Sequence, residues 1–194
     1  MTTRIILHGG NAHKRTDKND KFFNEVISGV SSGETIRVLC IYFARPEHRW
    51  EESYDEDQYM FRRVADDRGV EIETLLATYD IDDLTEKIAE SDVIFINGGM
   101  KGHLKDTLLS FGLDRFRQMI EGKTLVGISA GANILTRYYY SMAIDGIREG
   151  TGFLNIKLLT HYSNDEPEKL NILTAFGENL PVMTVAEEEY IVIN

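Results

Sequence analysis

The chain has 194 residues, of which 42% are hydrophobic. That length supports one sizeable hydrophobic core and is short for two, so we expect residues 1–194 to form a single domain. The 32 acidic and 21 basic side chains give a formal net charge of −11. Because such a surface repels phosphate groups on average, we expect neither a nucleic acid nor a membrane as a partner.

Cysteine content and hydropathy bear on the location of the protein. Cys40 is the one cysteine in the sequence, which excludes an intrachain disulfide and is typical of a reducing cytoplasm. The N-terminus lacks the charged, apolar and small residues, in that order, that mark a signal peptide. No apolar run approaches the ~18 residues of a membrane span. We therefore expect a cytoplasmic protein.

Apolar runs and helical patterns alternate along the first half of the chain. Residues 4–7 predict a strand that ends at His8, and residues 17–30 carry apolar side chains at helical spacing. Next come a predicted strand over 35–43, a helix over 50–68, a strand over 71–76, a short helix over 82–89 and a strand over 93–97. The last of these strands runs into Gly98 and Gly99.

The predicted helix over 50–68 is strongly acidic. Tyr59, Met60, Val64 and Ala65 are placed to face inward. Its acidic side chains are expected on a solvated face; they are Glu51, Glu52, Asp55, Glu56 and Asp57.

Two further predicted helices, over 101–111 and 113–122, precede a fifth strand that leads into Ser129. This alternation predicts an α/β fold with a mostly parallel sheet and helices on both faces. Because sites in such sheets form beyond the carboxyl ends of the strands, we expect His8, Gly98 and Ser129 at one edge. After Tyr140 the pattern weakens and indicates only short strands, near 156–160, 182–186 and 190–193.

The stretch from Leu125 to Asn133 carries the most specific signal. An apolar strand leads into Gly127, Ser129 follows, and Ala-Gly-Ala opens a helix. G-x-S-x-G is the pattern of a nucleophile elbow, in which a strained strand-to-helix turn exposes the serine hydroxyl. Glycine and serine also make ordinary turns or phosphate-binding turns. The apolar strand and the small residues around Ser129 favour the catalytic interpretation.

A serine hydroxyl needs a base, and histidine is the usual one because it titrates near neutral pH. His161 is the best candidate, since it follows an apolar run downstream of Ser129. An acid would then orient its ring. Asp145 lies between the serine and the histidine, in an order known from one class of triads. The alternatives near the C-terminus are the three consecutive glutamates Glu187, Glu188 and Glu189.

Backbone N–H groups of Ala130 and of Gly98 or Gly99 are candidates for an oxyanion hole, because glycine permits close approach of backbone to ligand. Residues around these turns are candidates for substrate contact; they are Gly98, Met100, His103 and Asn133. His8 and His13 lack the spacing of a helical zinc motif, and neither glycine pair extends to a nucleotide-binding motif. We therefore expect no metal and no cofactor.

The sequence resembles the peptidase E (aspartyl dipeptidase) family of serine peptidases, within the class I glutamine amidotransferase-like superfamily. Four runs carry the resemblance: Ile-Asn-Gly-Gly at 96–99, Gly-Ile-Ser-Ala-Gly-Ala-Asn at 127–133, Gly-Thr-Gly-Phe at 150–153 and Leu-Thr-His-Tyr at 159–162. The resemblance implies a flavodoxin-like, three-layer α/β sandwich. It also implies Ser129 as nucleophile, His161 as base, Asp145 as acid, and Gly99 with Ala130 as the oxyanion hole.

Two departures from the family pattern concern specificity. The glycine loop continues with Met100 and Lys101, where the family usually has Asn-Thr. Members specific for an N-terminal aspartate carry an arginine soon after the histidine, whereas residues 163–169 here are acidic and hold none. The resemblance therefore supports the reaction type more than aspartyl specificity.

The leading hypothesis is a serine hydrolase, a monomer or homodimer, that cleaves a small amide such as a short peptide. One alternative is a non-catalytic or regulatory binding domain that keeps the elbow as a structural turn. Another is an esterase that uses the same site.

Overall fold

The computed structural model of the chain describes residues 2–28, 35–99 and 104–194. The described part contains ten strands: β1 (Arg4–His8), β2 (Thr35–Ile41), β3 (Glu71–Leu76), β4 (Val93–Ile96), β5 (Thr124–Ile128), β6 (Thr136–Ser141), β7 (Gly146–Glu149), β8 (Leu154–Thr160), β9 (Val182–Val185) and β10 (Tyr190–Ile193). Its α-helices are α1 (Asp17–Val26), α2 (Trp50–Arg68), α3 (Ile81–Glu90), α4 (Leu104–Ser110), α5 (Leu113–Met119), α6 (Ala130–Leu135) and α7 (Pro167–Ala175).

The larger sheet has six strands in the order β10-β1-β5-β4-β2-β3. All neighbouring pairs from β1 to β3 are parallel, and β10 pairs antiparallel with β1. Every residue of β4 is buried, and β5 is buried beyond its first residue. Strands covered on both faces read as continuous apolar runs, which is why the sequence shows them clearly.

Capping side chains explain where two helices begin. Thr16 accepts a hydrogen bond from the N–H of Asn19 at the start of α1, and Asp80 accepts two from the first turn of α3. Such caps satisfy N–H groups that have no partner within the helix. α2 ends at Arg68 and is followed by Gly69, whose φ of 65° is the left-handed conformation that favours glycine.

The smaller sheet has four strands in the order β7-β6-β8-β9. β6 and β8 pair in parallel, as do β8 and β9, while β7 runs antiparallel to β6. β6 follows α6 directly, so the chain enters this sheet just after Ser129. The sheet has an apolar cluster of its own, which includes Tyr138, Tyr140, Leu159 and Leu173.

The predicted fold class is confirmed: the protein is α/β, with mostly parallel sheets and flanking helices. The helix predicted over 17–30 ends at Val26, and residues 29–34 lie outside the described part. The pattern gave no indication of β6, β7 or α7. β7 is a polar edge strand, and α7 exposes Ile172, so neither carries a clear apolar face. No helix within the described ranges is both long and apolar enough to cross a membrane.

The prediction of a solvated acidic face on α2 is wrong for Asp57. The other four acidic residues named for that face are exposed, but Asp57 is only 2% exposed. Asp57 lies four residues after Ser53 and four before Phe61, both of which are buried. Because residues four apart share a helix face, this spacing places Asp57 on the buried side of α2.

Candidate active site

Ser129 occupies a sharp turn between β5 and α6. Its φ is 51°, a conformation that is strained for a residue with a side chain and that is common at functional sites. Its backbone N–H donates to the carbonyl oxygen of His8 at 2.9 Å, which ties the turn to the end of β1. The first turn of α6 closes when the N–H of Asn133 donates to the carbonyl of Ser129 at 2.9 Å.

Small residues on both sides of Ser129 are required by packing. A Cβ on Gly127 would lie 2.8 Å from the backbone N and Cα of Ala132. A Cβ on Gly131 would lie 2.4 Å from the carbonyl oxygen of Ile96 in β4. Glycine at positions 127 and 131 therefore lets α6 pack closely against the ends of β5 and β4.

His161 reaches Ser129 from the end of β8. The Oγ of Ser129 and the Nε2 of His161 are 2.7 Å apart, within hydrogen-bond distance. A second contact joins the same two elements, because the Nδ2 of Asn133 donates to the Oγ1 of Thr160 at 3.1 Å. The residue before the histidine is thus tied to the helix after the serine.

Glu187, in the turn after β9, lies on the other side of the imidazole ring. Its Oε1 is 2.6 Å from the Nδ1 of His161. A carboxylate only accepts hydrogen bonds, so Nδ1 carries the ring proton and Nε2 faces the Ser129 hydroxyl as an acceptor. Serine, histidine and glutamate form one chain of hydrogen bonds in this order.

The structure does not bring Asp145 to this site. Asp145 is exposed in the turn between β6 and β7, and its Oδ1 accepts a hydrogen bond from the Tyr140 hydroxyl at 2.8 Å. The antiparallel β6–β7 hairpin carries it to the edge of the smaller sheet. The prediction that Asp145 contacts His161 is therefore wrong.

Glu188, the alternative acid among the three C-terminal glutamates, does not contact His161 either. Glu188 has a φ of 60°, which turns the chain, and its Oε1 accepts a hydrogen bond from Lys14 at 3.2 Å. That lysine holds the pKa of Glu188 below its ordinary value. Glu189 pairs with Lys18 at 2.8 Å. Only Glu187 faces the imidazole, and three consecutive glutamates gave no signal of which one would.

His8 and the turn that follows it, at Gly10, pack against the ring of His161. The Nδ1 of His8 accepts the N–H of Gly10 at 3.1 Å, and its Nε2 lies 3.1 Å from the Oδ1 of Asn19. Desolvation by burial lowers the pKa of His8 to about 4, so the ring is neutral at pH 7. Gly10 packs so closely on the site that a Cβ there would lie 2.3 Å from the Cε1 of His161.

The glycine loop after β4 lies beside Ser129. A Cβ on Gly98 would be 3.0 Å from the Cβ of Ser129, so glycine allows this approach. The N–H of Gly98 donates to the Oδ1 of Asn97 at 2.6 Å, and its carbonyl accepts a hydrogen bond from the Nε of Arg45 at 2.8 Å. Gly99 follows, while Met100 and His103, predicted to contact substrate, lie outside the described residues.

Two cavities open at Ser129 and His161. The larger, of about 690 Å³, has mostly apolar walls; its lining includes Ala44, Gly99, Leu104, Lys105, Ala130, Asn133, Ile134, Tyr139, Met142, Ala143 and Glu187. The smaller, of about 140 Å³, is more polar; its lining includes Asn11, His13, Arg45, Glu56, Asp57, Asn97, Gly98 and Gly99. In the part of the chain that the structure describes, no three His, Cys, Asp or Glu side chains are grouped so that they could hold a metal ion.

Comparison with known proteins finds peptidases with a similar sequence or a similar fold. Over 146 residues, 68% of this chain and 71% of the relative, the sequence is 24% identical to an uncharacterised peptidase of Listeria monocytogenes, Lmo0363. The crystal structure of a peptidase from an acI-B1 Actinobacterium matches the fold with a TM-score of 0.68 at 22% identity, covering 100% of this chain and 84% of that one.

The family follows from a longer match. The model of peptidase family S51 matches residues 5–194, and the chain therefore belongs to peptidase family S51. The resemblance to the peptidase E family that the sequence motifs indicated is confirmed.

Proposed function

We propose that the protein is a serine peptidase that cleaves a short peptide through an acyl-enzyme on Ser129. The observation that carries this proposal is the 2.7 Å contact between Ser129 Oγ and His161 Nε2. A base within hydrogen-bond reach of a hydroxyl at a strained turn is the arrangement that activates a serine nucleophile.

The chemistry follows from the direction of the hydrogen bonds. As Ser129 Oγ bonds to the carbonyl carbon of the scissile amide, His161 Nε2 takes its proton. The tetrahedral intermediate collapses, the C–N bond breaks, and His161 donates that proton to the leaving amine. Water then attacks the ester, giving one proton to His161, which returns it to Ser129 as the acid product leaves.

Glu187 takes the role of the third group in this proposal. With its Oε1 at 2.6 Å from Nδ1, it holds the tautomer that leaves Nε2 free to accept, and it stabilises the imidazolium that forms. The N–H groups of Ala130 and Gly99 are the proposed oxyanion donors. Ala130 stands in the first turn of α6, where backbone N–H groups have no partner within the helix.

The shape of the site supports a small substrate. The two cavities of about 690 and 140 Å³ meet at Ser129 and His161, which leaves room for a short peptide on either side of the hydroxyl. A non-catalytic binding domain, the alternative raised by the sequence, would be favoured by a His161 far from Ser129, and the 2.7 Å contact argues against it.

Turnover of a panel of dipeptides and of a nitrophenyl ester tests the proposal, together with labelling by a fluorophosphonate probe. We expect Ser129→Ala to lower kcat by roughly 10⁴-fold or more and to abolish labelling. The matched control is Ser110→Ala, since Ser110 is an exposed serine of α4. Turnover that Ser129→Ala leaves unchanged would refute the proposal, and the ratio of peptide to ester turnover separates a peptidase from an esterase.

A further inference from the structure

A buried carboxylate is linked to the glycine loop through one side-chain amide. The Nδ2 of Asn97 donates to the Oδ2 of Asp57 at 2.6 Å, and the Oδ1 of Asn97 accepts the N–H of Gly98 at 2.6 Å. Asp57 belongs to α2 and is 2% exposed. The amide of Asn97 therefore connects a helix on the flank of the sheet to the backbone beside Ser129.

Asp57 determines which way this amide faces. A carboxylate accepts hydrogen bonds and donates none, so the NH₂ group of Asn97 must point toward Asp57 and its oxygen toward Gly98. Arg45 gives the same answer, because its Nη2 donates to the Oδ1 of Asn97 at 3.2 Å. The Tyr42 hydroxyl donates to the same Oδ2 of Asp57 at 2.7 Å and holds the carboxylate in place.

The oriented amide oxygen of Asn97 also accepts a hydrogen bond from Arg45, and Arg45 in turn holds the peptide between Gly98 and Gly99 through the Gly98 carbonyl. The N–H of Gly98 is occupied by Asn97, so it is not available to a substrate oxygen. The carbonyl of Gly98 faces the Nε of Arg45 at 2.8 Å, and in a trans peptide the following N–H points to the opposite side. The N–H of Gly99 therefore points away from Arg45. Gly98 itself packs against Ser129, because a Cβ added to Gly98 would lie 3.5 Å from the serine Oγ.

We propose that Asp57 is a positioning residue that acts through Asn97 to hold the N–H of Gly99 as an oxyanion donor. This inference rests on the proposed function of Ser129. Without Asp57, the NH₂ group of Asn97 loses its acceptor, and the amide is held only through the hydrogen bonds to its oxygen. Arg45, which holds the peptide that carries the Gly99 N–H, is then positioned by a less firmly held partner.

Burial of the carboxylate is consistent with a positioning role. Desolvation raises the pKa of Asp57 to about 6, although Tyr42 and Asn97 lower it through their hydrogen bonds. Burying a carboxylate is unfavourable unless its charge is both paired and hydrogen-bonded, and the groups that donate to Asp57, the Tyr42 hydroxyl and the Asn97 amide, are neutral.

Three variants test the proposal. Asp57→Leu removes the acceptor at similar volume, and Asp57→Asn restores one, because the amide oxygen can take the place of Oδ2. Tyr54→Phe is the control, since it removes a hydrogen bond of 2.7 Å from the same helix to the carbonyl of Thr74 without touching the loop. We would measure kcat, KM and Tm for each variant. We would also measure the affinity for a peptide aldehyde, which forms a tetrahedral adduct on the serine.

We expect Asp57→Leu to lower kcat by about 10- to 100-fold, since losing one oxyanion donor altogether costs about 10²- to 10³-fold. KM should change by less than about threefold, and aldehyde affinity should fall by the same factor as kcat/KM. Asp57→Asn should restore kcat to within about threefold of the original chain, and Tyr54→Phe should lower Tm while kcat stays within the same margin.

Several outcomes would overturn the proposal. One is a kcat that Asp57→Leu leaves intact while turnover still depends on Ser129. Another is a rise in KM alone, which would show that Asp57 contacts substrate in the smaller cavity that it lines. A third is an equal loss of kcat in Tyr54→Phe, which would make the effect a general loss of stability. If Asp57→Leu does not fold, Asn97→Ala breaks the same link from the loop side, and an undiminished kcat there refutes the proposal.

Turnover that survives Ser129→Ala is a different result, because it refutes the proposed function itself.

Discussion

The Oε1 of Glu187 lies 2.6 Å from the Nδ1 of His161, although 26 residues separate the two in the chain. The two residues come from the ends of neighbouring parallel strands, β9 and β8, which pair with Thr160 opposite Val185. The carboxyl ends of parallel strands meet at one edge of a sheet, so residues distant in sequence converge there. This contact defines the acid of the hydrogen-bonded chain and leads to the first prediction.

Replacing Glu187 should impair catalysis far more than replacing Asp145. Glu187→Gln removes the charge that stabilises the imidazolium, and its NH₂ group can donate to Nδ1 and so favour the wrong tautomer, so we expect kcat to fall by roughly 10²- to 10⁴-fold. Asp145→Asn keeps an acceptor for the Tyr140 hydroxyl and should leave kcat within about twofold. Steady-state kinetics on the best dipeptide decides between them, and an equal loss in both variants would contradict this assignment.

The second prediction concerns the turn on which His161 rests. Gly10→Ala would place a Cβ 2.3 Å from the Cε1 and 2.7 Å from the Nδ1 of His161. The ring must move away from both Ser129 and Glu187, and since a displacement of about 1 Å costs about 10²-fold in rate, we expect a loss of at least that size in kcat/KM.

Gly112→Ala is the matched control for Gly10→Ala. Gly112 also has a positive φ, of 73°, but a Cβ there meets no atom within 4 Å. The variant should lose about 1 kcal/mol of stability from backbone strain and keep its activity. A comparable loss of kcat/KM in both variants would show that strain, and not the contact with His161, is responsible.

The sequence predicted those parts of the site that depend on local geometry. Ser129, its glycine flanks and the strand before it form one continuous pattern, because the turn and its packing are made by neighbours in the chain. His161 is predicted because it follows an apolar strand downstream of Ser129, although that strand belongs to the smaller sheet. The sequence does not single out Glu187 among the three consecutive glutamates. Which of them faces His161 depends on the positive φ of Glu188, and no sequence pattern marks that conformation.

The predictions for Asp145 and for Asp57 are wrong for different physical reasons. Asp145 was chosen from its order along the chain, but β7 lies on the edge of a second sheet that the sequence did not indicate. Asp57 was assigned to solvent because its neighbours on α2 are acidic. Its spacing of four residues from Ser53 and from Phe61 instead indicates the buried face of the helix. The many acidic residues of the helix made that indication hard to recognise.

The buried carboxylate of Asp57 leads to a prediction for stability against pH. Its pKa rises on folding from 3.8 to about 6, so the folded protein binds this proton more readily than the unfolded chain. The contribution of such a group is fully present below the unfolded pKa and is lost as the pH rises through the folded pKa. Between about pH 5 and pH 8, we expect the original chain to lose roughly 1 kcal/mol of unfolding free energy relative to Asp57→Asn.

Denaturant unfolding of both chains across this pH range measures the difference. His8, whose pKa burial lowers to about 4, acts in the opposite direction, because protonation of its ring at low pH opposes folding. His8 is present in both chains, so its effect cancels in the comparison. If the stability of the original chain relative to Asp57→Asn is constant with pH, or increases as the pH rises, Asp57 is not protonated more readily in the folded state.

The last prediction concerns the side chain that the larger cavity accepts. Its walls are mostly apolar, and the charged residues among its described lining are Lys105 and Glu187. Lys105 donates to the carbonyl of Glu149 at 2.9 Å, while Glu187 is an acid beside His161. A substrate carboxylate would lose hydration there and face Glu187, so we expect leucyl and methionyl dipeptides to have a kcat/KM at least about tenfold above that of aspartyl dipeptides.

A cation on the wall should reverse part of this preference. Met142 lines the cavity and is 43% exposed, so Met142→Arg can hold its guanidinium in water near a substrate carboxylate. We expect the ratio of aspartyl to leucyl kcat/KM to rise by about tenfold, since a charge-assisted hydrogen bond contributes about 1.5–3 kcal/mol. Ile172→Arg places the same charge on an exposed position of α7 and should leave the ratio unchanged. A preference of the original chain for aspartyl dipeptides would contradict this prediction, because an apolar wall does not compensate for the hydration that a substrate carboxylate loses on binding.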